Sequence, residues 1–353
     1  MVCKKIIGTF CLVFAAVLPF GWVSCGGSGT AEPADIPEVE LKTVPLPGDS
    51  LMLGFVGSLT VYDTLLFILD YATADAYLQL YGYPSLRPLC RFAVKGKGPG
   101  EVLGVVGYVI DGDSLRLFTS ENPKMQVYAL ADLVQGERYP ARVIPYPEEC
   151  GYSSVFGQAK DCFVLDVDSN QGRIRLVDGS GGTIGIRFAI PYKTEEVEYL
   201  SGFDPGMITT LWRGMMDVDG DQVVLGTFYG DVLEIYDLKD STKNRIVRGP
   251  DGPPEATVDG GVVGFGHKKG YQDIRIAGDR IYALYDGTNS KDLSQSDDRK
   301  RSALRIFDRE GRWLVTGRLD RPIARFCLLS DGRTALAVDP TAEYQLCTFT
   351  LPE

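Results

Sequence analysis

Histidine is nearly missing from this chain: His267 is the only one in 353 residues. A multi-histidine metal centre is excluded by that count, and one imidazole without a partnered nucleophile makes a poor general base. The eight cysteines show no CxxC or CxC spacing, and neither a GxSxG elbow nor a GxxxxGK[ST] phosphate loop is present. These absences remove the linear signatures of structural zinc, α/β-hydrolases and P-loop nucleotide enzymes. Positive charge is also in deficit, with 36 Lys+Arg against 47 Asp+Glu and a formal net charge of −11. The electrostatic attraction on which nucleic-acid binding mostly rests is therefore absent, and no nucleic-acid partner is expected. Sustained helical periodicity is lacking too. In its place stand 41 Gly, 20 Pro, 18 Tyr and 16 Phe, the composition of many short strands broken by turns. The chain reads as all-β.

The N-terminus has the layout of a secretory signal. Lys4 and Lys5 precede an apolar run from Ile6 to Trp22 that is short for a membrane span. The run ends in Val23, Ser24 and Cys25, followed by Gly26, Gly27, Ser28 and Gly29. A small residue before a cysteine with a polar tail behind it resembles a bacterial lipobox, although Trp22 replaces the usual aliphatic residue. The expected organisation is a lipoprotein signal peptide over 1–24, a flexible tether over 25–37 beginning at a lipidated Cys25, and one folded domain over 38–353. The chain is then anchored in the cell envelope, and because residues 26–31 carry no acid, the expected site is the outer membrane facing the periplasm. Cys90, Cys150, Cys162, Cys327 and Cys347 lie scattered along the body and read as buried, inert thiols.

An internal repeat decides the architecture. A turn followed by an apolar run begins at Asp63, Asp113, Asp161, Asp221, Asp279 and, with Arg in place of Asp, at Arg333. The spacing of about 50–60 residues is that of propeller blades. A second alternating run follows each start: 77–81, 125–128, 174–178, 233–237, 304–308 and 344–349. Each unit is a small antiparallel sheet that needs neighbours on both faces, which predicts a six-bladed β-propeller. The last unit has only three strands. The orphan segment starting at Glu38 is expected to pair with it as the outer strand and close the ring.

Lys95-Gly-Lys-Gly-Pro-Gly-Glu101 falls between the first two units, with a weaker echo at 248–255. The lipobox, this GPGE turn and the six units together resemble the TolB-like six-bladed propeller lipoproteins of Bacteroidetes. That resemblance implies the fold and no particular activity. Gly98, Pro99, Gly100 and Glu101 read as a structural turn whose carboxylate accepts hydrogen bonds from turn amides. Candidate ligand contacts are Lys95 and Lys97 on that turn, Trp212, Arg213 and Tyr229 flanking the fourth unit, and the loop residue His267. Asp111-Gly-Asp113 and Asp217-Val-Asp-Gly-Asp221 resemble calcium loops but recur at equivalent points, as hairpin turns should. The polar run 291–301 reads as a solvated loop inside the fifth unit. The sequence calls for no cofactor and no metal. It points to a non-catalytic envelope propeller that recognises a protein, peptide or glycan; the alternative is a divalent-metal lactonase or hydrolase with carboxylates dispersed around the channel.

Overall fold

The computed structural model of the chain describes residues 36–352, apart from 48–50, 154–155, 168–171, 201–205, 267, 290–301 and 344. The signal peptide, Cys25 and His267 lie outside the described residues. Six antiparallel sheets follow one another along the chain, each running from an inner strand at the axis to an outer strand at the rim. Blade one comprises Val56–Tyr62, Leu65–Asp70, Ala76–Gly82 and Arg87–Val94. The inner strands of the others are Val105–Asp111, Phe156–Gln158, Gly214–Asp219, Tyr271–Ala277 and Arg325–Leu328. The second strands begin at Leu65, Ser114, Phe163, Gln222, Arg280 and Thr334, just after the six repeat starts read from the sequence.

The Asp-Gly hairpin reading holds. Gly112, Gly220 and Gly278 take φ near +60° at the first position of two-residue turns, between the pairs Asp111 and Ser114, Asp219 and Gln222, and Ala277 and Arg280. A side chain there would be strained, so the repeated glycine is a geometric requirement.

The core lies between blades. Separate apolar clusters join blades one and two, two and three, three and four, four and five, five and six, and six and one. Period-two alternation here means that each strand buries one side against each neighbouring blade, so a blade cannot be stable alone. Gly157 shows how tightly the inner strands crowd, since a Cβ there would lie 2.4 Å from the Val218 side chain of the next blade.

Ring closure is achieved from both chain ends. Val44–Pro45 pairs antiparallel with Leu346–Thr350 and supplies the missing outer strand of blade six. The segment before it reaches one blade further back: Glu38–Leu41 adds parallel to Trp313–Leu319, the outer strand of blade five. Leu41 then enters the cluster between blades five and six at 6% exposure.

At one register position in the third strands, blades one to five carry a long polar side chain: Gln79, Gln126, Arg175, Glu234 and Arg305, opposite Ile68, Leu117, Leu165, Leu225 and Ala283. Blade six has Cys347 there, opposite Ala337. All are buried, so each needs a partner. Gln79 donates to the Asp70 carboxylate at 3.2 Å and to Thr73 at 3.1 Å, while Gln126 donates to the Gly100 carbonyl at 3.0 Å. Glu234 takes a bidentate pair from Arg173 at 2.7 and 2.9 Å, and Arg305 donates to Asp231 at 2.6 Å. Tyr81, Tyr128 and Tyr236, two residues on, donate to Gln79, Gln126 and Glu234 in turn.

Deleting residues 38–46 removes the burial of Leu41 and the blade-six edge pairing. Relative to a chain lacking only 26–37, the loss is expected to be at least about 3 kcal/mol. Thermal and urea unfolding compare the two, and equal midpoints would reject closure as a source of stability.

Candidate functional site

The two ends of the ring differ. At one end lie the hairpins between inner and second strands; at the other lie the connections from each outer strand to the next blade. Lys95–Glu101 belongs to this second, connection face. There Gly98 donates its amide to the Glu101 carboxylate at 2.7 Å and Glu101 donates back to the Gly98 carbonyl at 3.0 Å. Val102 donates to the Val94 carbonyl at 2.9 Å, and Gly100 takes φ +78°. Gly98, Pro99, Gly100 and Glu101 thus form the interblade turn read from the sequence, with Gln126 of blade two holding its Gly100 carbonyl.

The candidate ligand residues do not converge. Lys95 is half-buried: its Nζ donates to the Tyr71 carbonyl at 2.8 Å and to that of Thr73, and sits 4.4 Å from the Tyr77 ring centroid. Its charge is spent on the turn between the second and third strands of blade one. Lys97 stands exposed at the tip. Trp212 is fully buried in a side cluster with Leu200, Leu211 and Val232, out of reach of any ligand at the surface; Arg213 beside it is half-buried. Tyr229 packs on that same cluster and bridges through its backbone to Lys269. The echo at 248–255 does not lead straight into blade five. It feeds an extra hairpin, Ala256–Asp259 with Val262–Phe265, which the sequence reading missed.

The inner strands enclose an axial channel of about 710 Å³ that opens towards the hairpin end. A second cavity of about 620 Å³ opens on the connection face, lined by loops of blades one, four, five and six. Arg325 and Phe228 line both, so they stand where channel and cavity meet. Sequence reasoning fell one or two residues to the side: it selected Tyr229 and His267, whereas Phe228 and Lys269 line the cavity. The run 291–301 lies outside the described residues, and Asn289 and Ser302 on either side of it line the same cavity.

Charges concentrate on the inner strands of blades four, five and six. Asp273 is fully buried and saturated: Arg275 approaches it at 2.7 Å, and the amides of Ile274 and Phe326 donate to it at 3.0 Å each. Asp217 accepts the Ile276 amide at 2.7 Å across the blade boundary. Burial pushes the Asp217 carboxyl up to about 6, opposed by the Arg275 charge. Arg325 spends Nε on the Gly57 carbonyl at 2.7 Å, and Nη1 on those of Gln272 and Ala324 at 2.8 and 2.7 Å. Of these charges, Asp273 and Arg275 were signalled by Asp273-Ile-Arg-Ile, a pattern in which a charge alternates with aliphatics. Among the described residues, no group of three or more His, Cys, Asp or Glu gathers to hold a metal. Burial pushes the thiols of Cys150 and Cys327 up to about 11 and that of Cys347 to about 12, which keeps them protonated and unreactive.

This geometry defines a closed six-bladed propeller with a charged axial channel and a separate cavity on its connection face. The chain belongs to the TolB-like 6-blade propeller-like family, which matches residues 51–331. A solved member of the DUF4221 family from Bacteroides vulgatus superposes with TM-score 0.55 at 11% identity, covering 90% of this chain and 97% of its own. A "putative exported protein" from Bacteroides fragilis gives 0.52 at 13% identity, covering 89% and 95%. At these identities the likeness is one of fold. No curated protein matches the sequence.

Asp217 makes stability depend on pH. Its folded value near 6 lies above the ordinary 3.8, so the native state holds this proton more tightly, and the contribution is lost as pH rises from about 4 to 6. Asp217→Asn removes the effect. Solvent in the channel screens the charge, so the variant is expected to gain about 1–2 kcal/mol on the parent between pH 4 and pH 7. Urea melts at the two pH values check it; a difference that does not change with pH would contradict the assignment.

Proposed function

We propose that the chain is an exported, lipid-anchored propeller that acts by binding rather than by catalysis, recognising a protein, peptide or glycan through its connection face. The observation that carries this reading is the 620 Å³ cavity assembled from loops of four blades, since a rigid scaffold presenting several loops to one concavity is the usual form of a recognition site. Phe55 at its edge is 64% exposed, an apolar side chain available to a partner. The buried inner-strand carboxylate Asp273 is taken up by Arg275 and backbone amides, an arrangement suited to structure more than to metal chemistry. Anchoring rests on the charged N-terminus, the apolar run and Ser24-Cys25, and export is in keeping with the description of the Bacteroides fragilis relative in fold.

The test is made in intact envelopes with a photoactivatable p-benzoylphenylalanine at position 55 or, on the opposite end of the ring, at position 62. A discrete adduct from position 55 and none from position 62 is expected, with the chain in the membrane fraction unless Cys25→Ala is introduced. No adduct from position 55, or equal labelling from both, contradicts recognition through this face. Release of the parent chain into the soluble fraction contradicts the anchor.

A further inference from the structure

The connection-face cavity has an uneven charge. Its described charged lining residues are Lys269, Asp286 and Arg325. Lys269 and Asp286 approach each other at 3.8 Å, which leaves Arg325 over. The three carbonyls that receive Nε and Nη1 orient the guanidinium without neutralising it, and Nη2 has no partner among the described residues. The nearby carboxylate, Asp273, is already saturated by Arg275 and two amides. Burial lowers the proton affinity of Arg325; the Asp273 charge opposes this and the Arg275 charge adds to it. A guanidinium fixed by three bonds and carrying spare donors is pre-organised for a planar anion.

Polar side chains such as Gln272, Thr288 and Gln345 line part of the remaining wall, and apolar ones line the other part. Leu53, Phe55, Phe228 and Ile323 line the cavity around the arginine. A volume of about 620 Å³ lies within the range that small ligands fill. We propose that this cavity binds an organic carboxylate, with its head group on Arg325 and an apolar body against Phe55, Phe228, Leu53 and Ile323. The inference rests on the connection face being the recognition face, and it adds the chemistry of what is recognised. A free small acid and the C-terminus of a peptide ending in an apolar residue present the same groups.

Calorimetric titration of the purified full-length chain separates these sources. The probes are 4-phenylbutyrate against 4-phenylbutanol, and a hexapeptide ending in Ala-Phe with a free carboxylate against its C-terminal amide. In at least one pair the acid is expected to bind at least about tenfold more tightly than its neutral counterpart. Preference confined to the first pair identifies a small acid; preference in the peptide pair identifies a chain terminus. Arg325→Met removes the preference, Arg325→Lys retains part of it, and Phe55→Ala weakens acid and neutral probes alike. Because the acid-to-neutral contrast is read on the unmodified chain, a misfolded Arg325→Met leaves the test intact. Equal affinity within both pairs, or no binding of either acid, overturns the inference. Photo-adducts from position 55 without a carboxylate preference would refute this chemistry alone, whereas a carboxylate preference without adducts would refute the partner reading alone.

Discussion

Polar side chains buried in the middle of a sheet must be satisfied, and in this ring the partners they find are largely the loops of one face. Gln79 holds Asp70 and Thr73, Gln126 holds the GPGE turn through Gly100, and Arg305 holds Asp231. Asp231 in turn receives the Tyr271 hydroxyl at 2.9 Å, and its backbone exchanges bonds with Gly249 and Gly252 of the next connection. An unsatisfied group at any of these points would cost on the order of 1–3 kcal/mol. The loops of the connection face are therefore bonded into the core, and the cavity they enclose is formed before any ligand arrives.

Apolar packing supplies most of the stability of such a ring, and polar contacts fix its details. The six interblade clusters need closure, because an open ring exposes the faces of two blades at once. Val44–Pro45 closes it at blade six, and Glu38–Leu41 ties the same segment to blade five. The Arg173–Glu234 pair, almost completely buried between blades three and four, adds specificity more than net stability, since desolvation offsets much of its attraction.

Much of this was legible in the sequence. Turn-plus-strand repeats set the number of blades, Asp-Gly pairs marked the hairpins, and a three-stranded last unit with an orphan N-terminal strand implied closure. The parallel pairing of Glu38–Leu41 was not legible, because a short edge strand with the exposure pattern of three exposed residues and one buried carries no mark of which edge it joins. The site was less readable still. Lys95 and Trp212 look available in a one-dimensional reading, yet one is spent on two carbonyls and the other has no exposed surface. Arg325 was passed over because an arginine heading an apolar run looks like an ordinary outward-facing strand residue; only the ring places it between channel and cavity. Residues gathered from separate blades leave no linear spacing to find.

The central claim is that the connection face is a rigid extension of the core, and native-state hydrogen exchange resolved by residue tests it most directly. The amides of Val102, Asp231 and Gly249, which donate to Val94, Gly252 and Asp231, should exchange as slowly as those of the inner strands. The hairpin tips at Gly112 and Gly220 on the opposite face should exchange much faster. Exchange at Val102, Asp231 and Gly249 as fast as at those tips would show a face that forms only on binding, and would contradict the claim.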